Sequence, residues 1–370
     1  SSDVCSSDLD GALRNISGNN SYAGGIVLAA ASRINSDAGV QTLSGGITGG
    51  FGLTVGGASD TTISGAIGTG GNTVTKDGAG VTTYSGSSAN TYSGLTTVNG
   101  GRLDLNKSVA NGAIAGALTV GGSGTARLLA ADQIADTSAV TANGTLDLNS
   151  FSETIGSLAG SGNVTLGGGN LTVANTSAAT FSGAISGAGN FTKNGSATQT
   201  LSGGNTYNGS TTINAGALQV GANNALPTGT SVTLANATGA ALDLNGNNQT
   251  ISALSGGGAT GGNVTLGTGV LTVNQTSSTS FGGQLTGAGG LTKNNTGTLV
   301  LTAASSGYTG ATTIGGGVLQ VNSGASIANS AVTINSVTFV LNGTSGNVAV
   351  NSGGWLQGSG TLGILSGSGF

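Results

Sequence analysis

The feature that most constrains this chain is a repeat that recurs at residues 71–105, 189–220 and 289–321. Each copy begins with Thr-Lys and a turn rich in Gly and Asn, and continues through a short strand to Tyr-x-Gly-x-Thr-Thr. A second turn and the pattern Leu-x-Leu or Leu-x-Val complete the copy. Units this short cannot bury an apolar face alone, so they must pack against one another. The repeat therefore predicts a solenoid.

The similarity between copies extends upstream of each repeat. Residues 145–173 parallel residues 241–273, and a partial copy surrounds Tyr22. The chain is therefore organised in superrepeats of roughly 100 residues, each holding several strand–turn units. We assign the superrepeats to residues 43–105, 145–220 and 241–321. Residues 322–370 form the last coils.

Apolar residues within the repeats alternate with polar ones, as expected for strands whose successive side chains point to opposite faces. The apolar pairs predicted to face inward are Leu103/Leu105, Leu146/Leu148, Leu218/Val220, Leu242/Leu244 and Leu319/Val321. The polar residues between them, predicted to face outward, are Asp104, Asp147, Gln219, Asp243 and Gln320.

Composition narrows the fold further. The 370 residues include 74 Gly and one Pro, and only 5% are charged, which favours strands and tight turns over amphipathic helices. A pI near 4.4 argues against a nucleic-acid partner, and no apolar run reaches the roughly 18 residues of a transmembrane segment. We predict an all-β fold, a right-handed parallel β-helix (solenoid) of roughly 18 coils at about 20 residues per coil.

The first ten residues, SSDVCSSDLD, do not share the repeat pattern. They are similar to translated sequencing-adapter sequence, so we interpret residues 1–10, with Cys5, as a non-native leader. Residues 11–370 are then one repetitive β-helical region. Cys5 is the single cysteine of the chain, so the repetitive region offers no disulfide or thiolate chemistry.

The sequence predicts no catalytic, cofactor-binding or metal-binding residues. The chain has no His, which excludes a Ser-His-Asp triad and the usual zinc sites. The one tight acidic pair, Asp132 and Asp136, is interpreted as a polar loop. Asp147 and Asp243 occupy equivalent positions of successive superrepeats, several coils apart, which is too far for joint chemistry.

Other recurring residues receive structural interpretations. We expect Lys76, Lys193 and Lys293 to be solvated charges that face outward. The tyrosines of the repeats, Tyr92, Tyr207 and Tyr308, are expected near coil corners. The Thr-Thr pairs at 96–97, 211–212 and 312–313 are expected to stack inside or along strand ladders.

The pattern Thr-Lys, turn, Thr-Leu-x-Leu, Tyr-x-Gly-x-Thr-Thr, Leu-x-Val resembles the passenger-associated transport repeat of autotransporter outer-membrane proteins. Residues 289–321 and 189–220 carry it most fully, whereas 71–105 has an insertion before Tyr92. The resemblance implies a signal peptide before this region and a C-terminal translocator barrel after it. It also implies export through the periplasm to the bacterial cell surface or outer membrane, with or without release into the medium.

The resemblance implies a non-catalytic stalk or adhesin region whose partners are host, cell-surface or matrix ligands. Two alternatives stay open. The first is a β-helical carbohydrate-active enzyme, a polysaccharide hydrolase or lyase, with Asp132 and Asp136 as its one visible acidic pair. The second is a two-partner-secreted adhesin, whose barrel lies on a separate chain.

Overall fold

The computed structural model describes residues 12–368, so the predicted leader 1–10 with Cys5 lies outside the described residues. Residues 12–368 form strands, turns and bends, and they make about 17 turns of parallel β-helix. The predicted all-β parallel β-helix is therefore confirmed. No helix long and apolar enough to cross a membrane is found in this part of the chain.

The chain divides into two compact units. Unit 1 comprises Ser1–Ala174 and Ser182–Gly189, and unit 2 comprises Asn175–Phe181 and Asn190–Phe370. The strands described in unit 1 are Leu13–Asn15, Asn20–Tyr22, Ile26–Leu28, Ser32–Ser36, Gln41–Leu43, Ile47–Gly49, Leu53–Gly56, Thr61–Ile63, Ile67–Gly68, Val74–Lys76, Val81–Tyr84, Thr96–Leu105, Leu118–Leu128, Ala139–Ala142, Thr145–Asp147, Glu153–Ile155, Ser157–Ala159, Asn163–Thr165, Leu171–Val173 and Ala184–Ser186.

Unit 2 continues in the same style, with strands that are mostly three or four residues long. Its described strands are Ala179–Phe181, Phe191–Lys193, Gln199–Leu201, Thr211–Ile213, Ala217–Val220, Ser231–Leu234, Ala241–Asp243, Gln249–Ile251, Ala253–Gly256, Asn263–Thr265, Leu271–Asn274, Thr279–Phe281, Leu285–Thr286, Leu291–Asn294, Thr298–Leu301, Thr312–Ile314, Val318–Val321, Ser326–Ile327, Val332–Ile334, Thr338–Leu341, Thr344–Ser345, Val348–Val350, Trp355–Gln357 and Leu365–Gly367.

Each strand pairs in parallel with the strand one coil later. In unit 1 the partners Leu53, Val74, Thr96, Leu118 and Val140 follow one another at steps of 21 or 22 residues. Equivalent positions of successive coils therefore lie directly above one another, about 4.8 Å apart. Side chains on the inner face form continuous stacks, and those on the outer face form rows along the unit.

The inward stacks form the core. Leu103, Leu105, Leu218 and Leu319 are fully buried, as their alternation with polar residues predicts. Gln320 lies on the outer face and is partly exposed. The period of two therefore gives the correct facing of these strands.

Asp104 lies on the outer face, as predicted. It faces away from Leu103 and Leu105, but it is only 3% exposed. Its carboxylate accepts paired hydrogen bonds from Arg102 of the same strand (2.8 and 3.1 Å) and from Arg127 one coil later (3.0 and 3.0 Å). This outward carboxylate is buried because the two guanidinium groups cover it.

Candidate functional site

The three repeat lysines are buried, which corrects the prediction that they are solvated outward charges. Lys76 is 1% exposed, and Lys193 and Lys293 are 0% exposed. In each strand the lysine follows an apolar residue by two positions, as in Val74-Thr75-Lys76, so both share the inner face while the threonine lies on the outer face. The alternation itself places the lysine inside, whereas the expectation that charges seek water places it outside.

Each lysine completes an aliphatic stack. The strand register places Lys293 between Val273 of the preceding coil and Ile314 of the next coil. The four methylene groups of the lysine therefore occupy a position that neighbouring coils fill with branched aliphatic residues. Only the ammonium group needs polar partners, and it reaches them at the end of the strand.

Those partners are backbone carbonyl oxygens of the turn. The Nζ of Lys293 donates to the oxygens of Asn294 (2.7 Å) and Asn295 (3.1 Å), and to Gly316 on the next coil (3.2 Å). The other two lysines repeat this arrangement: Lys76 donates to Asp77 (2.6 Å), Gly78 (3.0 Å) and Gly100 (3.1 Å), and Lys193 to Gly195 and Ala215 (3.1 Å). Each ammonium group thus joins a turn to the coil after it, and we call this set of hydrogen bonds a lysine clamp.

Burial changes the acidity of these groups. The pKa of Lys193 falls from its usual 10.5 to about 8 because loss of solvent disfavours the charged form. The pKa values of Lys76 and Lys293 also fall to about 8 for the same main reason. Around Lys76, the carboxylate of Asp77 opposes that shift.

The repeat tyrosines are buried. Each lies two residues before a bend in the chain, near a coil corner, as predicted. The hydroxyl of Tyr308 lies 3.0 Å from Oγ1 of Thr312, which in turn lies 2.8 Å from Oγ of Ser330 on the next coil. The same tyrosine–threonine bond joins Tyr92 to Thr96 and Tyr207 to Thr211, each at 2.7 Å. The first threonine of every Thr-Thr pair is therefore an inward partner of the repeat tyrosine.

The second threonine of each pair belongs to a longer outward row, and Thr212 lies between Thr192 and Thr233 in its row. Residues on five consecutive coils of one sheet in each unit are threonines: Thr54, Thr75, Thr97, Thr119 and Thr141 in unit 1, and Thr250, Thr272, Thr292, Thr313 and Thr333 in unit 2. The predicted stacking of the pairs is confirmed, and it extends beyond the pairs because strands such as Leu-Thr-Val also contribute a threonine.

The acidic pair considered for catalysis lies in a turn of unit 1. Asp132 and Asp136 are both exposed. Asp147 accepts hydrogen bonds from the Thr165 hydroxyl and the Asn149 backbone, both at 2.9 Å. Across residues 12–368, no three residues among His, Cys, Asp and Glu are grouped so that they could hold a metal ion.

Sequence reasoning missed one buried acid, Glu153, which is 1% exposed. Its Oε2 accepts the backbone N–H groups of Gln133 (2.7 Å) and Ile134 (3.3 Å), and Oε1 accepts that of Thr154 (3.2 Å). Burial raises its pKa from 4.5 to about 8. Two signals could have revealed it: it stands two residues before the inward Ile155, and it aligns with Gln249 of the next superrepeat.

One of the comparisons with known proteins falls on the three repeats. The passenger-associated-transport-repeat family model matches residues 74–105, 191–220 and 291–321. A segment of 61 residues, 16% of this chain, is 51% identical to the adhesin BmaC autotransporter of Brucella suis biovar 1 (strain 1330). That segment spans 2% of the length of the relative. No solved structure matches the chain.

The matched segments begin at the lysine strands and end at the Leu-x-Leu or Leu-x-Val strands, so they contain the buried lysine and the tyrosine–threonine bond described above. The resemblance predicted from the sequence is confirmed. The chain carries three passenger-associated transport repeats and is similar, over part of its length, to an autotransporter adhesin.

Proposed function

We propose that this chain is a non-catalytic stalk and adhesin region of an autotransporter passenger, displayed at the bacterial cell surface. The observation that carries the proposal is that the chain contains three transport repeats and also a segment of 61 residues that is 51% identical to an autotransporter adhesin. The partners would be host, cell-surface or matrix ligands. A translocator barrel would follow in the complete protein, or stand on a separate chain in the two-partner arrangement.

The fold supports a stalk through its repetition. Each coil adds the same parallel ladder and the same inward stack, so stability grows with the number of coils. The lysine clamps, and the hydrogen bonds from Thr211 to Thr230 and from Thr312 to Ser330, add polar links between neighbouring coils without a metal or a disulfide. Such a structure suits an exported chain that must keep its shape outside the cell.

Surface display tests the proposal. Residues 12–368 fused to a translocator barrel should make a non-adherent bacterium bind to host-cell monolayers or matrix-coated surfaces. They should also become accessible to antibody on intact cells. A matched fusion carrying Leu319→Asp, which disrupts a core stack, should lose adhesion. Display without any gain in adhesion over the barrel alone contradicts the adhesin role.

The alternative of a carbohydrate-active enzyme has its own test. Asp132 and Asp136 are the residues on which that alternative depends, and both are exposed in a turn. We expect the purified chain to release no reducing ends or unsaturated products from a panel of polysaccharides. Product formation that disappears in the Asp132→Asn, Asp136→Asn double variant would establish the enzyme instead.

A further inference from the structure

Unit 2 contains a groove that interrupts its regular surface. The groove has a volume of about 520 Å³ and crosses three successive coils. One wall is the segment Gly257–Gly261, and the opposite side is formed by Gly282, Gln284 and the residues Thr302–Ala304. Its size falls within the range of roughly 300–1,000 Å³ typical of small-molecule sites.

The groove arises from an insertion visible within the chain itself. Leu254 and Asn263 are nine residues apart, whereas the equivalent Leu158 and Asn163 of the preceding superrepeat are five apart. The four additional residues form a small hairpin in which Gly258 and Gly261 exchange backbone hydrogen bonds of 2.8 and 3.3 Å. This is an antiparallel bridge beside otherwise parallel ladders.

Hydrogen bonds to the preceding coil hold the hairpin in place. Oδ1 of Asn236, on the coil before, accepts hydrogen bonds from the backbone N–H of Thr260 (2.8 Å) and from its hydroxyl (2.7 Å). Gly257 and Gly262 adopt positive φ values of 67° and 75° at the two ends of the hairpin, which glycine tolerates without strain. The wall of the groove is therefore preformed.

The lining is polar and carries no charged side chain. The hydroxyl oxygens of Thr260 and Thr302 can accept hydrogen bonds, while their protons are donated to Asn236 Oδ1 (2.7 Å) and to the Phe281 carbonyl oxygen (3.4 Å). Asn263 and Gln284 add amides, of which Asn263 Oδ1 already accepts the backbone N–H of Gln284 (2.8 Å). The Gln284 side chain is exposed and makes no hydrogen bond within residues 12–368, so its donor and acceptor are available. These groups match a ligand with many hydroxyls and no net charge.

We propose that this groove binds a neutral glycan chain, with two or three sugar units seated between the hairpin and Thr302–Ala304. The inference rests on the proposed adhesin function and names the class of ligand. Amide and hydroxyl groups donate and accept hydrogen bonds with sugar hydroxyls, whereas an acidic glycan would need a cationic partner that the lining lacks.

Two variants isolate the groove. Replacement of Gly256–Gly262 by Gly-Ser-Gly reproduces the Gly160–Gly162 connection of the other superrepeat, so the coil can close without the hairpin. Gln284→Ala removes one unused amide from the lining. Gln357→Ala is the matched control, since Gln357 is also exposed but lies outside the groove. Circular dichroism verifies that each variant keeps its strand content.

Titration calorimetry with neutral glucose, galactose and mannose tetrasaccharides provides the readout. At least one tetrasaccharide should bind the parent saturably. Gln284→Ala should weaken that binding about threefold to tenfold, as expected for one lost hydrogen bond, and Gln357→Ala should leave it unchanged. The loop replacement should abolish it.

Several results overturn the glycan proposal: no saturable binding of any tetrasaccharide, equal binding by the loop replacement, or binding of a polyuronate in preference to neutral sugars. Binding of an extended Gly/Ser/Thr peptide in place of sugars also overturns it. Adhesion of the displayed parent without glycan binding contradicts the groove alone, whereas glycan binding without adhesion contradicts the adhesin role alone.

Discussion

Each repeat lysine acts both as an apolar core residue and as a hydrogen-bond donor. Its methylene chain continues an inward aliphatic stack, and its ammonium group supplies the hydrogen-bond donor that the carbonyl oxygens of the following turn require. A valine at the same position, as in Val273 one coil earlier, fills the stack but offers no donor. The lysine is therefore favoured where the turn directs several carbonyl oxygens inward.

Lys193→Met tests the clamp, because methionine keeps the length and apolar character of the side chain but removes the donor. The partly buried carbonyl oxygens of Gly195 and Ala215 would lose this charged donor, so the free energy of unfolding should fall by about 1–3 kcal/mol. Urea denaturation at pH 7 measures the change. Thr192→Val, on the outer face of the same strand, is the control and should change stability by less than about 0.5 kcal/mol. A methionine variant as stable as the parent would show that the hydrogen bonds of Lys193 do no more than offset the cost of burying its charge.

The raised pKa of Glu153 means that this residue lowers folding stability as the pH rises, whereas a carboxylate in a stabilising ion pair raises it. Below about pH 4.5 both folded and unfolded chains hold the proton on this carboxyl. Between about 4.5 and 8 the unfolded chain releases it while the folded chain retains it, so this residue lowers stability as pH rises through that window. Above about 8 the penalty is constant.

Glu153→Gln removes that titration, and Gln249 occupies the aligned position of the next superrepeat with hydrogen bonds of 3.0 Å to Leu226 N and O. The variant should melt at the same temperature as the parent near pH 4 and at a higher temperature near pH 8. If the melting temperatures of the parent and the Glu153→Gln variant differ equally at both pH values, the raised pKa is contradicted.

At the scale of the strand, alternation decides which substitutions are tolerated. Leu319 is fully buried between Leu299 and Phe339 of the neighbouring coils, so Leu319→Asp should place a charge in the core and cost several kcal/mol. Gln320→Asp, on the outer face, should be nearly neutral. Thermal melting of the two variants measures the difference, and equal losses at both positions would refute the facing assignment.

The matching pair at Leu218 and Gln219 makes a poorer test. The Nε2 of Gln219 donates to Oδ2 of Asp243 at 2.8 Å, so an aspartate at 219 would place two carboxylates side by side. Sequence alternation predicts only that Gln219 faces outward. The partner on the next coil depends on the register, which the spacing of the repeats does not determine.

The same distinction explains what could be predicted. The period of two and the repeats predict the parallel β-helix and the inward leucines, because both follow from the sequence of single strands. The facing of Lys76, Lys193 and Lys293 was equally available from that period, but the general preference of charges for water suggested the opposite. The carbonyl oxygens that satisfy them come from turns and neighbouring coils. Likewise, the insertion at Gly257–Gly261 is visible in the repeats, but its hairpin and groove are not.

At the scale of the molecule, each unit is a stack in which a coil contacts mainly the coils before and after it. Its stability is then approximately a sum of coil terms and interface terms. The lysine clamps recur once per superrepeat, so they add links between coils at intervals along the chain. All of these features require that equivalent strands of successive coils stack in parallel at a fixed spacing.

A distance measurement tests that stacking directly. Thr250 and Thr333 lie in one outward row, four coil steps apart, although 83 residues separate them in sequence. Spin labels on cysteines at these two positions, in a chain with Cys5→Ser, should give a narrow distance distribution centred near 19 Å, four steps of about 4.8 Å. The pair Thr250 and Thr313, one step closer, should give about 14 Å. Broad distributions, or a longer distance for the 250–313 pair than for the 250–333 pair, would contradict the parallel β-helix.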